Sequence, residues 1–90
     1  MLAAHRAGPL VVGVGAGGLP AAATRVRDAI AARFDARYGE VLGLLGTARR
    51  ELIARGARDE WRARSDELFD DRFCEAVEDG SLLRRVTAWR

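Results

Sequence analysis

The chain contains no lysine: all fifteen of its basic residues are arginine. That absence removes the Gly-Lys-Ser/Thr ending of a phosphate-binding P-loop, and it fits a genome rich in GC, whose codons favour arginine. Arginine also pairs with carboxylates in a two-pronged geometry that lysine cannot match, which matters at interfaces. There is a single cysteine, Cys74, so no disulfide can close within the chain, and a reducing, cytoplasmic setting is expected. The one histidine, His5, lies far along the sequence from Cys74. One of each cannot assemble a structural zinc site, and no Ser/His/Asp or Cys/His catalytic set can be drawn from the sequence. Nowhere is there the run of about 20 apolar residues that a membrane-spanning helix needs, so no membrane association is expected.

What is present describes a small globular chain. Ninety residues make one domain, with 49% hydrophobic and 31% charged residues. A chain of this size buries only about 60–65% of its extended surface, so help from a partner is expected. The net charge is only +2, which argues against a nucleic-acid binder, but it is unevenly distributed. Residues 1–58 carry nine arginines against four acids, residues 59–79 three against nine, and residues 80–90 three against none, giving blocks of +5, −6 and +3. Such blocks either compensate within one fold and in solvent, or bring the acidic stretch of one subunit to a basic face of another.

The fold class read from the pattern is mainly α: a small four- to five-helix bundle (residues 20–90) behind a short glycine-rich N-terminal strand or extended arm (residues 1–19). Met1 to Gly8 reads as a loose arm and Pro9 to Val14 as a strand, since Val11, Val12 and Val14 are β-branched. No second strand is evident, so this one is expected to pair with its own copy in another subunit or with a different protein, or not to be a strand at all. Arg6, the run Leu10 to Leu19 and Ala21-Ala22-Ala23 loosely imitate a secretion signal, but Gly13, Gly15, Gly17 and Gly18 weaken its apolar centre, and the segment is expected to be retained. Pro20 suits a first helical turn, and Val26, Ile30 and Phe34 follow at helical spacing to about Tyr38, where Gly39 is expected to interrupt. Val41, Leu45, Ala48 and Leu52 form a second stripe that stops at Gly56. Asp59 and Glu60 open a third helix carrying Trp61, Leu68 and Phe69, and a break is expected near Asp70-Asp71 before a short helix with Phe73, Ala76 and Val77. After Gly80-Ser81, Leu82, Val86 and Trp89 share one face of a last helix, with Arg84 and Arg85 outside it.

One stretch has the spacing of a ligand-binding loop. Gly13-Val14-Gly15-Ala16-Gly17-Gly18 satisfies G-x-G-x-x-G between a strand and a helix, where glycines let the backbone approach a phosphate at the helix N-terminus. A complete dinucleotide fold also needs a second parallel strand and an acid about 20 residues on, and Asp35, at that distance, falls within a helix. Gly13, Gly15, Gly17 and Gly18 are therefore the candidate cofactor-contacting residues, for a flavin or nucleotide shared with a partner, against a glycine hinge as the structural alternative. The neighbouring acids Asp59/Glu60, Asp66/Glu67 and Asp70/Asp71 do not make acid/base pairs, because adjacent helical residues diverge by about 100°.

The six aromatic residues Phe34, Tyr38, Trp61, Phe69, Phe73 and Trp89 have core spacing, yet tryptophan and arginine are also typical interface anchors. Val12, Val14, Trp61, Arg84, Arg85 and Trp89 are accordingly the candidate interface residues, with no catalytic or metal-ligating residue assigned. In length and helicity the chain resembles the small helical partners of larger oxidoreductases, such as the small subunit of cyclodipeptide oxidases. The function expected is that of a non-catalytic accessory or assembly subunit acting through protein contacts, within an oligomer or a larger enzyme complex. A phosphate- or flavin-contacting module at Gly13–Gly18 and a weak nucleic-acid binder are the alternatives, the second opposed by the acidic block.

Overall fold

In the computed structural model, residues 2–89 are described, so Met1 of the expected arm and Arg90 of the last basic block lie outside the described residues. The chain is mostly helical, with two strands, β1 (Ala3–Ala7) and β2 (Leu10–Val14), and five helices, α1 (Pro20–Arg33), α2 (Ala36–Ala54), α3 (Arg58–Leu68), α4 (Phe73–Glu78) and α5 (Ser81–Thr87).

The strands form one antiparallel hairpin, with Ala7 opposite Leu10 and Ala3 opposite Val14. This corrects two expectations: residues 3–7 are a strand, not a loose arm, and β2 finds its partner in the same chain. Alanine has low strand propensity, which hides β1 in the sequence. The hairpin is made by its turn, Gly8-Pro9, in which Gly8 has φ +57° and so places a glycine at the first of two central positions. Ala3, His5, Ala7, Leu10, Val12 and Val14 occupy the more buried face, whereas Ala4, Arg6, Val11 and Gly13 are exposed.

Helix α1 packs on this hairpin, chiefly on β1. Pro20 sits in its first turn as expected. Its inward stripe is Ala23, Arg27, Ile30 and Phe34, and the expected core residue Val26 is 48% exposed. The strand face it meets is rich in alanine, so the small side of the helix comes close and Val26, one residue out of phase, points away. The break after α1 falls at Phe34-Asp35 rather than at Gly39. Asp35 is the N-cap of α2, its carboxylate accepting the Arg37 backbone N–H at 3.1 Å. Gly39 lies inside α2, where a Cβ would stand 2.9 Å from the Ala7 carbonyl carbon and the Gly8 nitrogen. Its missing side chain is what lets the hairpin turn rest on the helix.

Val41, Leu45 and Leu52 of α2 are buried as the stripe predicts. The helix closes in a Schellman motif: Gly56, at φ +76°, donates to Ile53 O, and the Ala57 N–H donates to Leu52 O. Helices α3, α4 and α5 complete a core of Tyr38, Val41, Leu45, Leu68, Val77, Leu82 and Val86, against which Trp61, Phe73, Cys74 and Trp89 pack half-buried. The break near Asp70 is present, its carboxylate accepting the Arg72 N–H at 3.0 Å. Phe69, expected in the core, is 52% exposed because it caps α3, where the chain leaves the helix; its ring leans edge-on toward Trp61 and Phe73 at 6.4 and 5.4 Å between centroids. The molecule is elongated, 47 × 26 × 20 Å.

Candidate functional site

The strand, glycine turn and helix at the N-terminus bound an open cleft of about 680 Å³. Leu2, Ala3 and Ala4 form one wall; Gly15, Ala16, Gly17, Gly18 and Leu19 line it along the turn, and Pro20, Ala23, Thr24 and Arg27 of α1 form the other wall. The turn takes its shape from Gly17 and Gly18, at φ +57° and +81°, conformations that side-chain-bearing residues rarely adopt. A hydrogen bond from Leu19 N to Ala16 O closes the turn onto the helix. Gly15 leaves room for Leu2, whose side chain would lie 2.9 Å from a Cβ placed there. The cleft wall is mainly apolar, and its two large residues are open to solvent: Leu2 is 66% and Leu19 64% exposed.

Among the described residues no carboxylate, imidazole or thiol lines this cleft. Its polar side chains are the Thr24 hydroxyl and the Arg27 guanidinium, which donates to Asp28 from Nη2 at 3.0 Å and from Nε at 3.3 Å. At the start of α1 the Leu19 side chain provides no cap, Pro20 carries no N–H, and the Ala21 and Ala22 amides bond to no backbone carbonyl among the described residues. The cleft offers a mainly apolar lining with two backbone donors at one end.

The residues singled out in the sequence fall in several places. Gly15, Gly17 and Gly18 line the cleft; Gly13 does not, lying on the exposed face of the hairpin near the Leu2 side chain. The hairpin is antiparallel and belongs to no parallel strand–helix–strand unit, so the turn stands outside the fold that usually accompanies its spacing. Val14 is buried and Val12 half-buried on the face toward α1. Trp61 and Trp89 lie at the other end of the chain against the main core, and the Arg64 guanidinium lies over the Trp89 ring at 4.8 Å from its centroid. Arg84 and Arg85 are exposed and form no ion pair among the described residues. Among those residues no group of histidine, cysteine and carboxylates is placed to hold a metal ion.

Sequence reasoning missed a polar cluster where α1, α2 and α4 meet. Glu78 accepts the Tyr38 hydroxyl at 2.5 Å and Arg33 Nε at 2.7 Å, and its backbone carbonyl accepts Arg37 Nη1 at 3.0 Å. The Arg33 and Tyr38 hydrogen bonds hold the Glu78 carboxyl below its usual range, while burial and then the bond to Glu78 push the Tyr38 phenol upward. A small cavity of about 170 Å³ adjoins it, lined by Arg37, Glu40, Glu78, Asp79 and apolar neighbours. The arginines here are already held by acids and carbonyls, so the cluster fastens helices together. Residues 40–45 apart in sequence could be paired only by the fold.

No family model, no curated protein and no solved structure matches the chain.

Proposed function

We propose that this chain is a non-catalytic accessory subunit, and that the cleft between β1, the glycine turn and α1 receives an apolar segment of a larger protein. The observation that carries the reading is the pair Leu2 and Leu19, each about two-thirds exposed, on either side of a cleft lined mainly by alanine, glycine and proline. Leaving two leucines in water on a concave surface is unfavourable by roughly 1.5–3 kcal/mol each relative to full burial, and a partner's side chains entering the cleft recover part of that. The described lining, mainly alanine, glycine, leucine and proline, supports an apolar binding surface.

The test is native mass spectrometry of the tagged chain isolated from the cells that make it, compared with Leu19→Asp. A charged side chain at the rim leaves the fold intact, because Leu19 is exposed, but opposes apolar docking. The expected result is a defined heavier species for the wild type that falls at least about tenfold in abundance for the variant, equivalent to 1.4 kcal/mol. Equal recovery of that species with both chains contradicts the reading.

A second reading follows from the three glycines and the uncapped first turn of α1 sharing the same cleft: a phosphate-bearing ligand, such as a flavin or nucleotide, held at a subunit interface. It predicts a small-molecule adduct in the same spectra, lost in Gly17→Val. An adduct-free complex disfavours it.

A further inference from the structure

We infer that two copies of this chain associate through the free edge of β2, forming a four-stranded antiparallel sheet across a twofold axis. The pairing residues Val11 and Gly13 do not line the cleft, although Leu2 of the cleft wall lies beside Gly13. In a hairpin with a two-residue turn the closing pair exchanges both backbone bonds and the pattern then alternates. Ala7/Leu10, His5/Val12 and Ala3/Val14 are thus the bonded pairs. The N–H and C=O groups of Val11 and Gly13 point out of the sheet, and neither residue makes another backbone bond among the described residues. Val11 is 52% exposed.

Three observations select this edge and a second copy as its occupant. First, natural sheet edges are blunted by charge, proline or a bulge, and β2, Leu10–Val14, has none of these. The stretch from Ala7 to Ala23 has no ionisable side chain at all, so two β2 edges approach without charge repulsion. Second, the β1 edge is unsuited: Arg6 places a charge there, and Ala3 and Ala4 already form a cleft wall. Third, the β2 edge is self-complementary. With Val11 opposite Gly13 of the second copy, the twofold axis passes between the two Val12 residues. Each Val11 side chain then lies over a glycine whose nearest obstacle is a Leu2 methyl group, 3.5 Å from a Cβ placed there, and the two Val12 side chains meet as a close β-branched pair. Two five-residue strands bury less than the roughly 1,000 Å² of a strong interface, so the expected dissociation constant is on the order of 10–100 μM.

The experiment is amide hydrogen exchange on the full chain, read at Val11 and Gly13 across a concentration series, with sedimentation of the same samples. Dimer formation with at least about tenfold slower exchange at both amides is expected at the concentrated end. Val11→Pro removes an outward N–H but no ladder bond of the hairpin, so it is expected to leave the far-UV spectrum unchanged and abolish the dimer; Val11→Thr keeps the N–H and the dimer. A chain that stays monomeric up to about 1 mM overturns the pairing. So does a dimer whose Val11 and Gly13 amides exchange at the monomer rate. Neither result bears on the cleft, which the Leu19→Asp comparison tests.

Discussion

Gly39 and Gly43 stand one turn apart in α2 and respond oppositely to alanine. At Gly43 a Cβ meets nothing within 4 Å, so Gly43→Ala is expected to stabilise by about 0.5–1 kcal/mol through helix propensity. At Gly39 the Cβ would press on backbone atoms of the hairpin at 2.9 Å, and Gly39→Ala is expected to destabilise by about 1–3 kcal/mol. Thermal unfolding separates the two, because 1 kcal/mol moves Tm by roughly 4–8 °C in a domain this small. The sequence displays both glycines identically; what distinguishes them is a turn more than thirty residues upstream. The Tyr38–Glu78 pair gives a prediction in pH. Glu78 is depressed in the folded chain, so its contribution is complete above the ordinary carboxylate value near 4.3 and lost as pH falls through the folded value. Tyr38 is raised, so its contribution is complete below the ordinary phenol value near 10 and lost as pH rises toward the folded value. Because Tyr38 is the only tyrosine, the alkaline absorbance titration reads this phenol alone, with a midpoint well above 10 expected. Glu78→Gln is expected to flatten the acid loss of Tm, and an unchanged acid profile contradicts the role given to Glu78.

At the scale of elements, helices with a long apolar stripe were legible and those set by packing against a small-residue surface were not. The stripe Val41, Leu45, Leu52 and the stops at Gly56 and Gly80 follow from spacing and from the left-handed backbone that glycine accepts. In α1 the expected stripe holds at Ile30 and Phe34 and fails at Val26, because the partner there is a strand of alanines, which rewards closeness rather than bulk. Strand β1 was missed for the same reason. The hairpin and α1 bury only Ala7, Val14 and Ala23 fully, whereas the core of α2 to α5 buries seven residues together. Beyond packing, the hairpin is tied down by His5, whose Nε2 donates to Phe34 O, and by the contact at Gly39. In dilute solution the ladder amides of His5 and Val12 are therefore expected to exchange at least about tenfold faster than those of Val41 and Leu45, reporting a local opening below the global one. Equal protection would show that the hairpin belongs to the same cooperative unit as the core.

Over the whole molecule, shape and charge say the same thing. A compact chain of 90 residues has a radius of gyration of about 12 Å, against 15.7 Å here. A typical monomer of this mass exposes roughly 5,200 Å², and this one exposes 6115 Å², the excess being close to the 800 Å² that one partner contributes to a standard interface. Within the fold, charge compensation is sparse: of the nine acids in residues 59–79, Glu60 and Glu78 have ion pairs among the described residues, whereas Asp59, Asp66, Glu67, Asp70, Asp71, Glu75 and Asp79 have none. Size and composition raise the expectation of a neighbour without marking a surface for it; the cleft of the proposed reading includes Leu2 and Leu19, which no periodicity singles out. The most direct measurement is photo-crosslinking in the cells that make the chain, with benzoylphenylalanine replacing Leu19 at the cleft or, as a control, Arg49 on an exposed part of α2. A discrete crosslinked protein from position 19, absent from position 49, is the result expected. No adduct at 19, or the same adducts from both positions, would contradict the account.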